Sequence, residues 1–310
     1  MIVSASRRTD IPAFHSEWFI NRLRAGYAMV RNPVSRNVVH RVDLSCSNVD
    51  CIVFLTKNPM PMENRLGEVS RMGHMYLFQV TLTPYGRDIE PNVPFKADVN
   101  DCCVRIADRI GRDRMAWRYD PVAYRPGMSL EYHRRKFTML CGEASKWTDR
   151  CIFSFLDLYG KLGSDFPLRP PSRAEGMEFV RMAARVADDH GIVLSHCCGD
   201  AFGIEGVSGR ACLDRETFRS LNIPYEFSDN PLRDDCRCVR SIDIGDYDTC
   251  LHDCTYCYAN RAHRGSRMAR VYNPHSEMLY GTVSEDDVVV DVGGRDAYRI
   301  DDSSNFPNRR

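Results

Sequence analysis

The chain has 310 residues, of which 43% are hydrophobic, and its 42 lysine and arginine residues equal its 42 aspartate and glutamate residues. This length and hydrophobic content can fill a sizeable core, which excludes a largely disordered chain. A net charge of zero creates no overall field toward nucleic acid or anionic membrane, so any nucleic-acid contact would have to be a local patch.

The cysteine content points to metal. No apolar run is long enough to span a membrane, and the hydrophobic stretch at residues 1–8 is too short for a signal peptide. We therefore expect a cytoplasmic protein without a membrane partner. In a reducing compartment, 14 cysteines are better explained by metal binding than by disulfides. Eight of them lie between Cys197 and Cys257.

Short apolar runs recur along the chain, separated by polar or helical segments. Near-continuous hydrophobic strands with crossover helices indicate a parallel sheet covered on both faces. The predicted strands are Ile2–Ser6, Tyr27–Arg31, Cys51–Thr56, Tyr76–Thr83, Met115–Tyr119, Cys151–Leu156, Gly191–His196 and Ser241–Ile244. Eight strands predict an α/β fold with a TIM-like or partial (β/α) barrel over residues 1–260, and a doubly wound open sheet is the alternative.

Two helices between these strands carry clear signals. Ser172 and Glu175 form a capping-box pair ahead of an apolar stripe, and Gly191 follows as a stop. A second helix is predicted after Pro12, ending at Gly26. Residues 261–310 lose the strand–helix rhythm and form a C-terminal extension. Within it we expect an edge strand at Asp286–Val292, while residues 301–305 have the composition of disorder.

Polar residues follow the predicted strands, at the end of a barrel where chemistry is expected. Two adjacent arginines, Arg7 and Arg8, suit a phosphate or carboxylate, so an anionic substrate is expected. Asp10 is expected to pair with one of them. The remaining residues placed near substrate are Arg118, Asp120 and Tyr124.

The segment from Cys250 to Tyr258 carries the most specific motif of the chain. Cys250, Cys254 and Cys257 are separated by three and then two residues, which lets one loop hold three irons of a [4Fe–4S] cube and leave the fourth iron open. The alternative is a zinc knuckle that takes its fourth ligand from Cys236, Cys238 or His252.

This spacing, with Tyr256 before the last cysteine, resembles the signature of the radical S-adenosylmethionine enzymes. The resemblance implies that the open iron chelates S-adenosylmethionine and that an electron, supplied by a donor such as a flavodoxin or ferredoxin, cleaves it. The product is a 5′-deoxyadenosyl radical that abstracts hydrogen from substrate. It does not imply a particular substrate.

The position of the motif is unusual for that superfamily, in which it follows the first barrel strand. Here it follows the last predicted strand, Ser241–Ile244. The first and last strands of a barrel are neighbours, so a circular permutation reconciles the two orders. We therefore expect Ser241–Ile244 to lie beside Ile2–Ser6.

In the permuted comparison the chain most resembles the spore photoproduct lyase branch. That resemblance implies that Ser6 contacts the methionine amino group, that Lys57 meets the methionine carboxylate, and that Thr81 or Thr83 lies near the ribose. Tyr256 belongs to the shared motif, and Tyr258 would pass a hydrogen atom. The chain also resembles an uncharacterised bacterial family marked by Ser-Arg-Arg-Thr-Asp, Thr-Lys-Asn-Pro and the C-terminal cysteine cluster.

A second group of cysteines gathers near the last two predicted strands: Cys198, Cys212, Cys236 and Cys238, with Cys197 able to replace Cys198. Four thiolates would complete an auxiliary [4Fe–4S] cluster. A Cys₄ zinc site and inert buried thiols are the alternatives. The other six cysteines lack ligand spacing and are expected to be core or surface thiols. For the whole protein, the alternative to a radical enzyme is a non-catalytic iron–sulfur or zinc protein.

Overall fold

A computed structural model describes residues 1–158, 166–198, 201–223, 236–260 and 269–293. Its main sheet has eight strands, and every neighbouring pair is parallel. The strands are β1 (Ile2–Ala5), β4 (Cys51–Thr56), β5 (Tyr76–Thr81), β6 (Met115–Val122), β7 (Arg150–Phe155), β8 (Val193–His196), β9 (Val207–Ser208) and β10 (Ile242–Asp243). Their order across the sheet is β10-β1-β4-β5-β6-β7-β8-β9.

The last strand of this sheet lies beside the first, as the sequence predicted. In the register of β1 and β10, Val3 pairs with Ile242 and Ser4 with Asp243. Among the described residues no pairing joins β9 to β10, so the ladder remains open there. The sheet is parallel and α/β, as expected, but a closed barrel is not formed by its hydrogen bonds.

One predicted strand belongs to a different sheet. The segment β2 (Tyr27–Arg31) pairs antiparallel with β3 (Val38–Asp43), and β11 (Val288–Val292) pairs parallel with β3. Residues along β2 alternate between buried and half-buried, which is typical of a sheet with one solvated face rather than of a central parallel strand. The strand predicted at Tyr27–Arg31 is confirmed with the same bounds, but its assignment to the main parallel sheet was wrong. The edge strand expected at Asp286–Val292 is confirmed as β11.

Seven helices precede the last part of the main sheet, and their buried side chains pack against one face of it: α1 (Ile11–Phe14), α2 (Ser16–Ala25), α3 (Met60–Glu63), α4 (Leu66–Arg71), α5 (Lys96–Ile110), α6 (Leu130–Ala144) and α7 (Arg173–Asp189). A short helix, α8 (Arg215–Ser220), lies on the opposite face. The predicted capping box of α7 is formed by Ser172 and Glu175. The helix expected after Pro12 is divided at His15 into α1 and α2, and Gly26 ends α2 in the left-handed conformation. Among the described residues, no helix has both the length and the apolarity to cross a bilayer.

Side chains of the central strands alternate between two hydrophobic clusters. Ile52 and Phe54 of β4 pack into the large cluster with the helices, whereas Cys51 and Val53 pack into a smaller one on the opposite face. That second face is covered by residues from 212–223 and 236–239, including Leu213, Phe218 and Val239. The cysteine-rich region of the chain therefore lies against the face of the sheet that the main helices leave uncovered.

Candidate functional site

A cavity of about 490 Å³ lies where β1, β4, β5, β6, β7, β8 and β10 end. Its volume is in the range of about 300–1,000 Å³ that is usual for small-molecule sites. Most of the side chains predicted from the sequence to act in a site line it: Ser6, Arg7, Arg8, Asp10, Lys57, Thr81, Arg118, Asp120, Cys250, Cys254, Tyr256, Cys257 and Tyr258. Residues that follow different strands along the chain therefore meet in one cavity, as expected at the carboxyl ends of parallel strands.

The cysteine loop after β10 forms one wall of this cavity. Cys254 is buried, Cys250 and Cys257 are half-buried, and all three line the cavity. Burial, together with the neighbouring thiols, raises the pKa of Cys250 well above its ordinary value. A thiol whose pKa is raised in this way stays protonated at neutral pH unless a cation compensates the charge of the thiolate.

Backbone contacts fix the position of this loop. The amide of Thr255 donates to the carbonyl of Ile89 at 3.0 Å, and the Asn92 carboxamide donates to the carbonyl of Leu251 at 2.8 Å. Asn260 Nδ2 donates to the carbonyl of Cys250, also at 2.8 Å. The three cysteines therefore lie on a segment that is held from both sides, by the loop after β5 and by its own C-terminal end.

Glu90 joins the cysteine loop to the end of β4. This carboxylate is 1% exposed and accepts hydrogen bonds from Lys57 Nζ at 2.7 Å and Lys96 Nζ at 2.6 Å. It also accepts from the hydroxyls of Tyr256 at 2.5 Å and Thr83 at 2.6 Å. Burial alone would raise the pKa of Glu90, but the two ammonium groups hold it well below its ordinary value.

The resemblance implied contacts with S-adenosylmethionine for Lys57 and for Thr81 or Thr83, which lie in or beside this network. Lys57 lies on the cavity wall, and its Nζ is 5.6 Å from the centre of the Tyr256 ring. Its ammonium group also forms an ion pair with Glu90. Thr81 lines the cavity, whereas Thr83 is fully buried and bound to Glu90. Of the two threonines considered for the ribose, only Thr81 is therefore in position to face a ligand.

Asp243, at the end of β10, is a second buried carboxylate. It accepts hydrogen bonds from Ser6 Oγ at 2.8 Å and Arg8 Nε at 3.0 Å, and from the backbone amide of Arg7 at 2.6 Å. Burial opposes its ionisation, but Arg8 and Arg7 lower the pKa of Asp243 to about 2. The pair of arginines that suggested an anionic substrate is thus bound to an anion of the chain itself.

Asp10 has different partners from those expected. It does not pair with Arg7 or Arg8; it accepts hydrogen bonds from Thr56 Oγ1 and the Lys57 amide, both at 2.7 Å, and its Oδ2 lies 2.8 Å from His252 Nε2. It also caps α1 through the amide of Ala13 at 3.0 Å. Asp10 therefore connects β1, β4 and the cysteine loop. Because His252 Nε2 is bound to Asp10, this nitrogen is not positioned as a zinc ligand.

The residues at the end of β6 divide between the cavity and the core. Arg118 forms an ion pair with Asp120, which also accepts a hydrogen bond from Ser154, and all three residues line the cavity. Tyr124 does not lie there; its ring packs beside His133 at 5.0 Å and under the guanidinium of Arg169. Tyr124, which was expected near substrate, is 2% exposed and is not among the residues that line the cavity.

Tyr258 lies on the cavity wall and donates its hydroxyl to the backbone carbonyl of Arg7 at 3.1 Å. Burial raises the pKa of this phenol, so it remains protonated at neutral pH. The contact connects the end of the cysteine motif to the segment after β1.

The second cysteine group also reaches the cavity. The Cys212 thiol lies within hydrogen-bonding reach of Cys197 and Cys238, and Cys238 within reach of Cys236. Cys197 and Cys198, the two alternatives for the fourth member of this group, both line the cavity. The other six cysteines are where they were expected, with Cys46 exposed and the rest buried.

The two cysteine groups are the candidate ligands for the metal cofactors that the sequence predicts. In the described part of the chain, no three His, Cys, Asp or Glu side chains are placed to hold a single metal ion. The ligands of one zinc ion converge on a point at about 2.3 Å, whereas each thiolate of a cube binds a different iron. Cys250, Cys254 and Cys257 all line the cavity, so each could hold one iron of a cube and leave the fourth iron open to it.

Two site residues, Glu90 and Asp243, were missed by the sequence reasoning. Asp243 lies inside the predicted strand Ser241–Ile244, so the rule that selected polar residues after each strand passed over it; the observed strand ends at Asp243. Glu90 lies between β5 and α5, outside any periodic pattern, and no local signal marks it as buried.

Comparison with known proteins gives a family without a described activity. A family model described as "Domain of unknown function (DUF1848)" matches residues 2–259. No curated protein matches the chain.

Proposed function

The chain belongs to the DUF1848 family, and we propose that it is a radical S-adenosylmethionine enzyme whose cluster is held by Cys250, Cys254 and Cys257. The observation that carries this proposal is that all three thiols line one cavity together with Ser6 and Lys57. A [4Fe–4S] cluster bound there would supply the electron that cleaves S-adenosylmethionine. The substrate is a small molecule or group that fits the remainder of the cavity.

The residues around the thiols have separate tasks in this proposal. Ser6 and Lys57 lie on the wall that follows β1 and β4, and they hold the amino and carboxylate ends of the methionine part. Glu90 keeps Lys57 beside the cysteine loop through the 2.7 Å contact. Tyr258, whose phenol stays protonated, is the hydrogen-atom donor nearest the segment after β1.

The fold in this proposal is a partial (β/α) barrel with a permuted strand order. The parallel pairing of β10 with β1 supports it, since β10 then precedes the cysteine loop as a first strand would and β1 acts as the second. The face of the sheet that carries the second cysteine group corresponds to the barrel interior, and the cavity to its carboxyl-terminal mouth.

The test is product formation. The full chain, reconstituted anaerobically with iron and sulfide and reduced with dithionite, is expected to release 5′-deoxyadenosine from S-adenosylmethionine, measured by chromatography with mass detection. Cys254→Ala should remove this product, because a loop with two thiolates cannot hold the cube. Cys46→Ala is the matched control, since that thiol is exposed and lies outside the cavity.

A chain that contains a full cluster and yields no 5′-deoxyadenosine would favour the alternative, a non-catalytic iron–sulfur protein. Unchanged product formation in Cys254→Ala would show that a different set of cysteines holds the reactive cluster. Stoichiometric zinc in the cysteine loop of the purified chain would exclude the proposal.

A further inference from the structure

Three charged side chains gather beside the cysteine loop: Lys57, Glu90 and Lys96, which we call the Glu90 network. The Glu90 carboxylate accepts a hydrogen bond from Lys57 Nζ at 2.7 Å and another from Lys96 Nζ at 2.6 Å. The two lysines bind different oxygens, Oε1 and Oε2. Two ammonium groups thus share one carboxylate, and the network carries one positive charge in excess.

The Glu90 network lies against the three-cysteine loop. The hydroxyl of Tyr256 donates to Glu90 Oε1 at 2.5 Å. The backbone amide of Thr255 donates to the carbonyl of Ile89 at 3.0 Å, and Ile89 belongs to the same apolar cluster as Cys254 and Tyr256. The excess charge is therefore held next to the segment that would carry the iron–sulfur cluster.

Solvent has limited access to this charge. The Glu90 side chain is 1% exposed, that of Lys57 13% and that of Lys96 24%. Burial opposes the charge of Lys57, but Glu90 outweighs burial and raises the pKa of Lys57. Because partly buried charges are screened much less than surface charges, the network acts beyond its immediate contacts.

The two lysines differ in what they can contact. Lys57 lines the cavity, whereas Lys96 is not among the lining residues. In the proposed function Lys57 meets the carboxylate of the methionine part, which would balance its charge. Lys96 is then the cation whose charge acts on the cluster alone.

We propose that the Glu90 network raises the reduction potential of the cluster on the cysteine loop, and that Lys96 supplies the charge that does so. On reduction one electron passes from an external donor to the oxidised cluster, and a nearby positive charge stabilises the more negative product. The inference rests on the cluster of the proposed function but not on cleavage of S-adenosylmethionine. A weaker reductant can therefore load this cluster than one without the network would require.

The test is a redox titration of the reconstituted full chain without S-adenosylmethionine, followed by electron paramagnetic resonance in a mildly acidic buffer that keeps both lysines charged. At the midpoint potential of the parent, Lys96→Met should lower the ratio of reduced to oxidised cluster on the order of tenfold, the effect of one charge about 10 Å away in a partly buried site. Lys96→Arg, which keeps the charge, should retain the parent ratio. An unchanged ratio in Lys96→Met, or an equal fall in both variants, would overturn the proposal.

Glu90→Gln tests the sign of the effect. It removes the negative charge and leaves both ammonium groups, so the ratio of reduced to oxidised cluster should rise above that of the parent. A fall, as in Lys96→Met, would show that the charge of the network does not set the potential.

An exposed ion pair gives matched controls. Lys146 and Glu143 are in contact at 2.7 Å and lie shortly before β7 begins, at the opposite end of the strands from the cavity. Lys146→Met and Glu143→Gln should both keep the parent ratio. Shifts as large as those of the network variants would overturn the proposal, because any surface charge would then have the same effect.

Iron and sulfide content and circular dichroism show that the compared chains are loaded and folded. Since Lys96 is partly exposed, Lys96→Met still decides the question where Glu90→Gln loses the cluster. Potentials that shift as expected in a chain that yields no 5′-deoxyadenosine would support this inference and contradict the proposed function. Product formation with a potential that is the same in every variant would do the reverse.

Discussion

At the scale of single residues, two buried carboxylates organise the cavity. Asp243 binds the segment after β1 through Ser6 and both arginines, and Glu90 binds the cysteine loop to the end of β4. Each is surrounded by two cations, which compensates for the cost of burying its charge. The residues that face a ligand are therefore positioned by acidic residues behind them.

The role of Glu90 can be tested without the cofactor. Glu90→Gln keeps the shape of the side chain but leaves Lys57 and Lys96 without their anionic partner, so we expect a loss of roughly 3 kcal/mol of unfolding free energy, measured by urea denaturation of the metal-free chain. Glu63→Gln, which breaks a more exposed ion pair with Arg105, is the control and should cost much less, because solvent screens an exposed pair.

The same substitution has a pH signature. The pKa of Glu90 is lower in the folded chain than its ordinary value of 4.5, so the stabilisation is fully present above that pH and is lost as the pH falls through the folded pKa. Glu90→Gln should remove this acid-side loss. Equal stabilities of parent and variant at neutral pH would show that Glu90 does not hold the two lysines.

At the scale of elements, the junction of β1 and β10 brings the two ends of the site together. Gly245 lies two residues after the end of β10, and a Cβ placed there would lie 2.0 Å from Ser6 Oγ. Only a residue without a side chain lets the two segments approach so closely. The pairing of the first and last strands therefore depends on this glycine as well as on the ladder hydrogen bonds.

Gly245→Ala should accordingly displace Ser6 or the loop after β10. We expect a loss of about 1–3 kcal/mol, as for other overpacked sites, measured as a lower melting temperature. Gly142→Ala is the matched control, because Gly142 lies inside α6 and an added Cβ meets only ordinary contacts, the nearest at 3.5 Å. That change should be neutral or stabilising, and a similar loss in both variants would contradict the argument.

At the scale of the whole molecule, residues 269–293 pack onto the first part of the chain. Met278, Leu279 and Tyr280 are buried, Trp18 Nε1 donates to the carbonyl of Ser276 at 2.9 Å, and β11 pairs with β3 along five residues. This part of the extension completes the second sheet. The sequence motifs therefore end before the predicted boundary at residue 260, but residues on both sides of that boundary pack together.

Removal of residues 261–310 should then destabilise the chain although every candidate site residue remains. Each large apolar side chain lost from the interior is worth about 1.5–3 kcal/mol, so we expect the melting temperature to fall by about 10 °C or more. Removal of residues 301–310 alone is the control, since their composition predicts no packed structure. Equal melting temperatures for the two truncations would show that residues 269–293 are dispensable.

The sequence by itself determined the features that depend on local pattern. Near-continuous apolar runs identified the central strands of the main sheet, Ser172 and Glu175 identified the start of α7, and the spacing of Cys250, Cys254 and Cys257 identified the loop that lines the cavity. In each case the physical cause acts within a few residues: the burial of consecutive apolar side chains in a strand, the free amides of a first helical turn, or the reach of one loop.

Only the tertiary structure decided the features that depend on distant partners. The sequence of Tyr27–Arg31 suits a strand in either sheet, and only its pairing with β3 shows that it lies outside the main sheet. The contact of Asp10 with His252 and the burial of Glu90 both arise where segments remote in sequence meet. A buried charge is stable only beside its compensating groups, and those groups are brought together by folding rather than by neighbourhood along the chain.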